Sequence, residues 1–419
     1  MNIGQLSYQM TSLLKPKAVL LLSALAVSPL GVAADMSITA KFTPDPTNPT
    51  LNKFLNTTPV SGYCRSLPAE CQALGMFSLN VPLSTSPLLP ISANHNDPRK
   101  GAMFKVSSEW QDVRVIEAES GESHIVKFRL NGFGATYRVS PTVQEITGAP
   151  NPIVGHQRLW RGSSWVNAPA PCRGTGMSVA NSAEYLFFWR LPETGGVCSK
   201  QSLFGVDQFH MQAVNISYEM VTPNPLRMSK GSYKSVVDLT YLVGQGGDFD
   251  FGDQVVANMN SLTFDFSLEV NHILQVKFPP GAERLALIPQ GGWQQWIHRG
   301  RRPEKLFANQ NFKLWSSGKF AMRLECQHPG TNGNCAIENE TGDVVSVSTA
   351  VTVPPGFSQS GNRTALSALN DETFEPALYV DNANATLHFE VDKTGVEQMT
   401  RHPGSQYSGN VTVIWDGDI

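Results

Sequence analysis

Several signatures of catalysis are missing from the sequence. It holds no CxxC pair, no HExxH, no GxSxG and no glycine loop of the phosphate-binding kind. The first absence argues against a structural zinc site and the second against a zinc protease. The others remove the α/β-hydrolase and nucleotide-binding readings. Charge is scarce as well: 16% of residues are charged, the formal net charge is −3, and the basic residues form no long stripe that could follow a phosphate backbone. Nucleic acid is not an expected partner, and neither a metal nor an organic cofactor is expected. No heptad run and no internal repeat occurs, and beyond residue 34 no apolar stretch is long enough to span a membrane.

What is plentiful points to strands. Glycine (35) and proline (28) are abundant, and they punctuate short alternating segments, the pattern of an all-β protein. The start of the chain stands apart. Lys15 and Lys17 precede an apolar stretch and then small residues, with Val32 and Ala34 placed before a cleavage point. Residues 1–34 are expected to be a signal peptide, leaving a mature, exported chain that begins at Asp35. Export favours disulfides among the six cysteines. Sequence alone leaves the connectivity open, but local spacing favours Cys64 with Cys71, Cys172 with Cys198, and Cys326 with Cys335. Closing the first two loops contributes about 2.5 and about 3.5 kcal/mol in the loop-entropy account.

The prolines in Thr222-Pro223-Asn224-Pro225 cannot donate to a ladder and mark a boundary. The division expected from it is a first domain over 35–222, a linker over 223–232 and a second domain over 233–419. The second half alternates in 235–244, 261–278, 319–326, 343–353, 385–391 and the terminal segment, with Pro-Gly turns between, as in a Greek-key sandwich. The first half has longer loops. Its segment 123–140 reads as a hairpin about Asn131-Gly132, and 183–191 is its most apolar strand.

Nine histidines are scattered through the chain, and no triad can be read from their spacing. In "GQGGDFDFGDQ" (Gly244 onward) the aspartates offer oxygen ligands for a hard cation. The motif occurs once, however, and reads more simply as a turn with Phe249 and Phe251 packed and the aspartates solvated. The basic run in "WIHRGRRPEKLF" reads as a solvated loop. In "HQRLWRGSSWVNAP", Trp160 and Trp165 stand beside Arg161 and Asn167. Flat aromatic faces with polar neighbours suit a sugar, whereas the plainer alternative is that both tryptophans are core.

The last residues, "YSGNVTVIWDGDI", alternate strongly. Tyr407, Gly409, Val411, Val413 and Trp415 fall on one side and Ile414 on the other. Together with "GQGGDFDFGD", "LEVNHILQVKFPPG", "PQGGWQQWI" and "FAMRLEC", this ending resembles the enterobacterial fimbrial-like tip adhesins of the chaperone–usher type. The resemblance covers roughly residues 230 to 419. It implies two β-sandwich domains, the C-terminal one an incomplete immunoglobulin-like pilin sandwich that needs a donor strand. It also implies partners: a periplasmic pilus chaperone, an outer-membrane usher, the N-terminal extension of the next fimbrial subunit, and a surface receptor such as a glycan. Tyr407, Gly409, Val411, Val413, Trp415 and Ile419 would then border the chaperone and donor-strand groove, with Ile414 replacing them if the register slips by one. Asp418 stands where ordinary pilins tend to carry a tyrosine. "DMSITAKF" offers no evident donor extension, which places the subunit at a fimbrial tip on the cell surface. A non-adhesive tip adaptor or assembly initiator, and a secreted β-sandwich hydrolase, are the alternatives.

Overall fold

Alternation accounts for the strands that organise the molecule. In Ser261–Val270, Leu262, Phe264, Phe266, Leu268 and Val270 are buried while the residues between them are more open. The computed structural model describes residues 33–417. Residues 1–32 of the expected signal peptide lie outside these, as do Asp418 and Ile419. Ala33 and Ala34 begin a strand, Ala33–Phe42.

The first body is built on an eleven-stranded sheet. At its centre Gly231–Ser235 joins Ser261–Val270 to Gln111–Glu117, followed by the long strands Ser123–Ser140 and Gln208–Val221. Ala33–Phe42 runs parallel to Ser261–Val270 through ten paired positions, from Ala33 opposite Ser261 to Phe42 opposite Val270. A smaller sheet carrying Ala102–Val106 packs across it. There the Phe104 ring lies 4.3 Å from Phe133 and 5.4 Å from Trp189, centroid to centroid. One buried cluster runs from Ile38 to Val270.

The second body is a two-layer sandwich. One sheet orders Leu274–Lys277, Leu306–Ser316, Val380–Val391, Val344–Thr352 and Cys335–Glu338; the other holds Glu372–Phe374, Phe320–Cys326 and Val411–Asp416. Phe312, Leu314 and Leu387 meet Phe320, Met322 and Phe374 in a separate core. The all-β expectation therefore holds, as do the three local disulfides, with Cα–Cα distances of 5.6, 5.9 and 5.1 Å.

Three local expectations are corrected. The chain does not leave the first body at 223–232. Pro225–Arg227 is a 3-10 turn with Leu226 and Met228 buried in the first core, and Gly231–Ser235, Leu239–Leu242 and Ser261–Val270 all return to the first sheet. The crossing is at Asn271-His272-Ile273, inside what read as one strand over 261–278. His272 Nε2–H donates to Met228 O at 2.7 Å on one side, and Nδ1 accepts from Ser317 Oγ at 3.1 Å on the other. The expected hairpin at Asn131-Gly132 is one continuous strand, Ser123–Ser140. The glycines admit a ring rather than turn the chain: a Cβ at Gly132 or Gly134 would stand 2.7 or 2.4 Å from the Phe188 ring. The aspartates of the Gly–Asp turn are not all solvated. Phe249 and Phe251 are buried, but so is Asp250, which accepts from Arg99 at 2.8 Å and from the amides of Gly246 and Gly252. Burial pushes its carboxyl up, yet those donors outweigh burial and hold it below the usual carboxylate range.

Two outcomes follow. A fragment of residues 35–272 should melt cooperatively by circular dichroism, whereas 35–222, lacking the strand that pairs with Ala33–Phe42, should not. Glu122 fastens the 229–233 segment to the first body, accepting from Ser229 N and Tyr233 Oη at 2.9 Å each. Burial raises its carboxyl, but the bonds from Ser229, His124 and Tyr233 win and hold it at about 2 against an ordinary 4.5. A depressed carboxyl stabilises above its unfolded value and loses that contribution as pH falls through its folded one. The Tm gap between wild type and Glu122→Gln should be widest near neutral pH and close as pH falls from about 4.5 towards about 2.

Candidate functional site

The face presented by the terminal strand follows from its partner. Val411–Asp416 pairs antiparallel with Phe320–Cys326, setting Val413 opposite Leu324 and Trp415 opposite Met322. Directly opposed residues share a face, and Leu324 and Met322 are buried in the sandwich core. Val411, Val413 and Trp415 therefore turn inward, where they pack against that core while still partly open. Ile414, opposite Arg323, turns to the other face. Of the two registers open to sequence reading, this is the one adopted.

On its far edge the terminal strand has no strand partner among the described residues. Beside that edge a groove of about 530 Å³ runs along the core. Val411, Val413 and Trp415 form one wall, Leu387 and Phe389 of the opposite sheet contribute to the floor, and Phe278, Leu285 and Leu287 form the other wall. Trp415 makes edge-to-face contacts with Phe278 and Phe312 at centroid distances of 5.9 and 6.0 Å. Its indole N–H is buried without an acceptor among the described residues. The groove thus offers apolar surface beside a strand edge that has no strand partner among the described residues. That combination suits an extended chain with apolar residues at alternate positions.

The rest of the terminal segment fixes the mouth of the groove. Gly409 is also part of the lining, and a Cβ there would meet Ala336 O at 2.8 Å. The small residue lets Ser408 and Glu338 exchange backbone hydrogen bonds at 2.9 and 3.0 Å. Tyr407 is not in the groove wall: it packs on the neighbouring cluster around Val345 and Val391 and donates to Asp343 at 2.6 Å. Ile419 lies outside the described residues. Sequence reading missed the wall from Phe278 to Leu287. The spacing of Leu285 and Leu287, two apart in "ERLALIP", was its available signal.

The receptor candidates of the first body divide. Trp160 and Trp165 are fully buried, which removes them from any sugar-binding surface. Trp165 stacks on Trp189 at 4.7 Å, and Trp160 donates its indole N–H to Tyr137 Oη at 2.9 Å. They are core residues because the loop carrying them folds over the aromatic face of Glu184–Arg190. Arg161 and Asn167 are exposed. Arg161 borders a pocket of about 350 Å³ shared with His95, Lys200 and Gln201, a grouping drawn from distant segments and absent from the sequence reading.

No family model matches the chain, and no curated protein matches it. Among solved structures it is similar to CfaE, the adhesive subunit of the CFA/I fimbria of enterotoxigenic Escherichia coli, at 10% identity and a TM-score of 0.25, covering 92% of both chains. A CFA/I chaperone–tip adhesin complex gives 10% identity and a TM-score of 0.25, covering 92% of this chain and 96% of that one. The CsuC–CsuE chaperone–tip subunit pre-assembly complex from archaic chaperone–usher Csu pili of Acinetobacter baumannii gives 11% and 0.20, covering 92% and 98%. Likenesses this distant carry no weight for function beside the geometry of the groove.

Proposed function

We propose that the chain is a chaperone–usher fimbrial tip adhesin whose second body is completed by a strand from another protein. The observation that carries this is the open groove beside Val411–Asp416, with Val413 and Trp415 facing into it and one strand edge unpaired. An exposed apolar edge of this kind invites aggregation unless it is covered. A periplasmic chaperone would cover it first, and the N-terminal extension of the next subunit would replace the chaperone at the outer-membrane usher. From the expected mature start at Asp35, the strand up to Phe42 is held in its own sheet by eight pairs and so is not free to serve as a donor to a neighbour. That favours a terminal position in the fibre, with the first body displayed outward to a surface receptor, a glycan in this reading. The resemblance of "FAMRLEC" and "YSGNVTVIWD" to fimbrial tip proteins supports the same reading.

The test is to supply the strand in cis. A flexible linker and about ten residues alternating Val or Ile with Thr are fused after Ile419. Each apolar side chain seated in the groove is worth about 1.5–3 kcal/mol. Several together, less the cost of ordering, should raise Tm by about 10 °C and abolish binding of a hydrophobic dye. Val413→Arg should cancel most of the gain, and a fusion with its alternation shifted by one residue should give little. A parent chain that binds no dye and gains nothing from the fused strand would sink the proposal.

A further inference from the structure

The pocket bordered by Arg161 lies in the first body, is not part of the groove, and is assembled by contacts beneath its surface. Lys200 is 3% exposed, and its ammonium donates to the carbonyls of Ser163 at 2.8 Å and Ser164 at 2.9 Å. These hydrogen bonds hold the 162–164 loop from below, while Arg161 N–H donates to Gln201 O at 2.9 Å. The Cys172–Cys198 disulfide ends two residues before Lys200. Arg161 is thereby carried on a fixed loop, with its side chain exposed.

The charge balance of this pocket is one-sided. Its lining includes Arg161 and Lys200 and no carboxylate. Lys200 is bonded to neutral carbonyls alone, and Arg161 has no ion-pair partner among the described residues. Burial draws the Lys200 ammonium down to about 8, so most of its charge persists at neutral pH. The carboxylate of Asp97, next to the lining residues Asn96 and Pro98 but not itself in the lining, accepts from Arg99 N at 3.0 Å. The His95 ring is held by hydrogen bonds on both nitrogens: Nδ1–H donates to Asp97 O at 2.9 Å and Nε2 accepts from Ser202 N at 3.3 Å. On a chain of net charge −3 this is a local positive site, and a concave pocket concentrates such a field.

We propose that this pocket receives the acidic group, a carboxylate or a sulfate, of a receptor saccharide. Its volume, about 350 Å³, lies within the range of small-molecule sites. The amides of Asn96 and Gln201 border it as partners for hydroxyls, and the rings of Pro98 and Pro169 offer apolar surface to sugar C–H groups. The guanidinium of Arg161 supplies a planar fork for the acid. The inference rests on the adhesin reading, which makes the first body the receptor-binding part.

The experiment titrates the full secreted chain by calorimetry with three probes: 3′-sialyllactose, lactose 3′-sulfate and lactose. At least one acidic sugar should bind, with lactose at least tenfold weaker, and the two acidic arms distinguish carboxylate from sulfate. Arg161→Glu, at an exposed position, should leave Tm unchanged and weaken acidic-sugar binding more than tenfold, while Arg161→Lys should retain part of it. Lys200→Met should also weaken binding; if it does not fold, the Arg161 pair still decides. Equal binding of lactose, or indifference to Arg161→Glu, overturns the pocket while leaving the adhesin reading in place. Binding of none of the three overturns the pocket as well. The strand-fusion result, read on the groove alone, then shows separately whether the fimbrial reading has failed.

Discussion

The second body is two packed layers, and beside the edge strand Val411–Asp416 a groove lies open to the core between them. Val411–Asp416 takes hydrogen bonds from Phe320–Cys326 and from no strand on its other side among the described residues. Several features of the second body meet at that edge. The inward residues of the terminal strand must be apolar because they roof a core they only partly seal. The register must be firm, since a slip of one residue would put Thr412 and Ile414 where Val413 and Trp415 now stand. The Cys326–Cys335 disulfide lies at the end of the strand that alone supports the terminal one. It ties that layer to Cys335–Glu338 of the opposite sheet.

The first body is organised in the opposite way. Its large aromatic side chains are spent on sealing the interior: Trp160, Trp165 and Trp189 are all fully buried. What reaches the surface is carried on loops fastened from below, by Lys200 to the 162–164 carbonyls and by Glu122 to Ser229 and Tyr233. Rigid support beneath an irregular surface is the usual arrangement for recognition loops.

The contrast explains which features could be read from the sequence. The strands, their alternation and the three disulfides were legible, because periodicity and short cysteine spacing are local properties. The inward face of the terminal strand was narrowed to two registers, and only the pairing with Leu324 and Met322 chose between them. The domain boundary was misplaced because Pro223 and Pro225 follow the end of the strand Gln208–Val221, and the chain then turns back into the same sheet at Gly231–Ser235. The true crossing at His272 carries no glycine or proline to mark it. The tryptophans at 160 and 165 could not be assigned from their neighbours, since burial depends on the Phe187 and Trp189 rings of a later strand. For the same reason the pocket uniting His95, Arg161 and Lys200 was invisible: its parts come from three segments, with His95 66 positions from Arg161 and 105 from Lys200.

The parallel pairing of Ala33–Phe42 with Ser261–Val270 sets an order of events. Ser37 and Asp265, hydrogen-bonded across this seam, are 228 positions apart. A chain made from its N-terminus onward produces one side of the seam first and must wait for nearly the whole first body before the other side arrives. Contacts of such span form slowly, because a long loop must close before any pairing rewards it. Through that interval Ile38, Ala40 and Phe42 have no neighbour on the 261–270 side. The first of the described strands is thus among the last to be secured, and until then the nascent chain carries an open flank near its beginning.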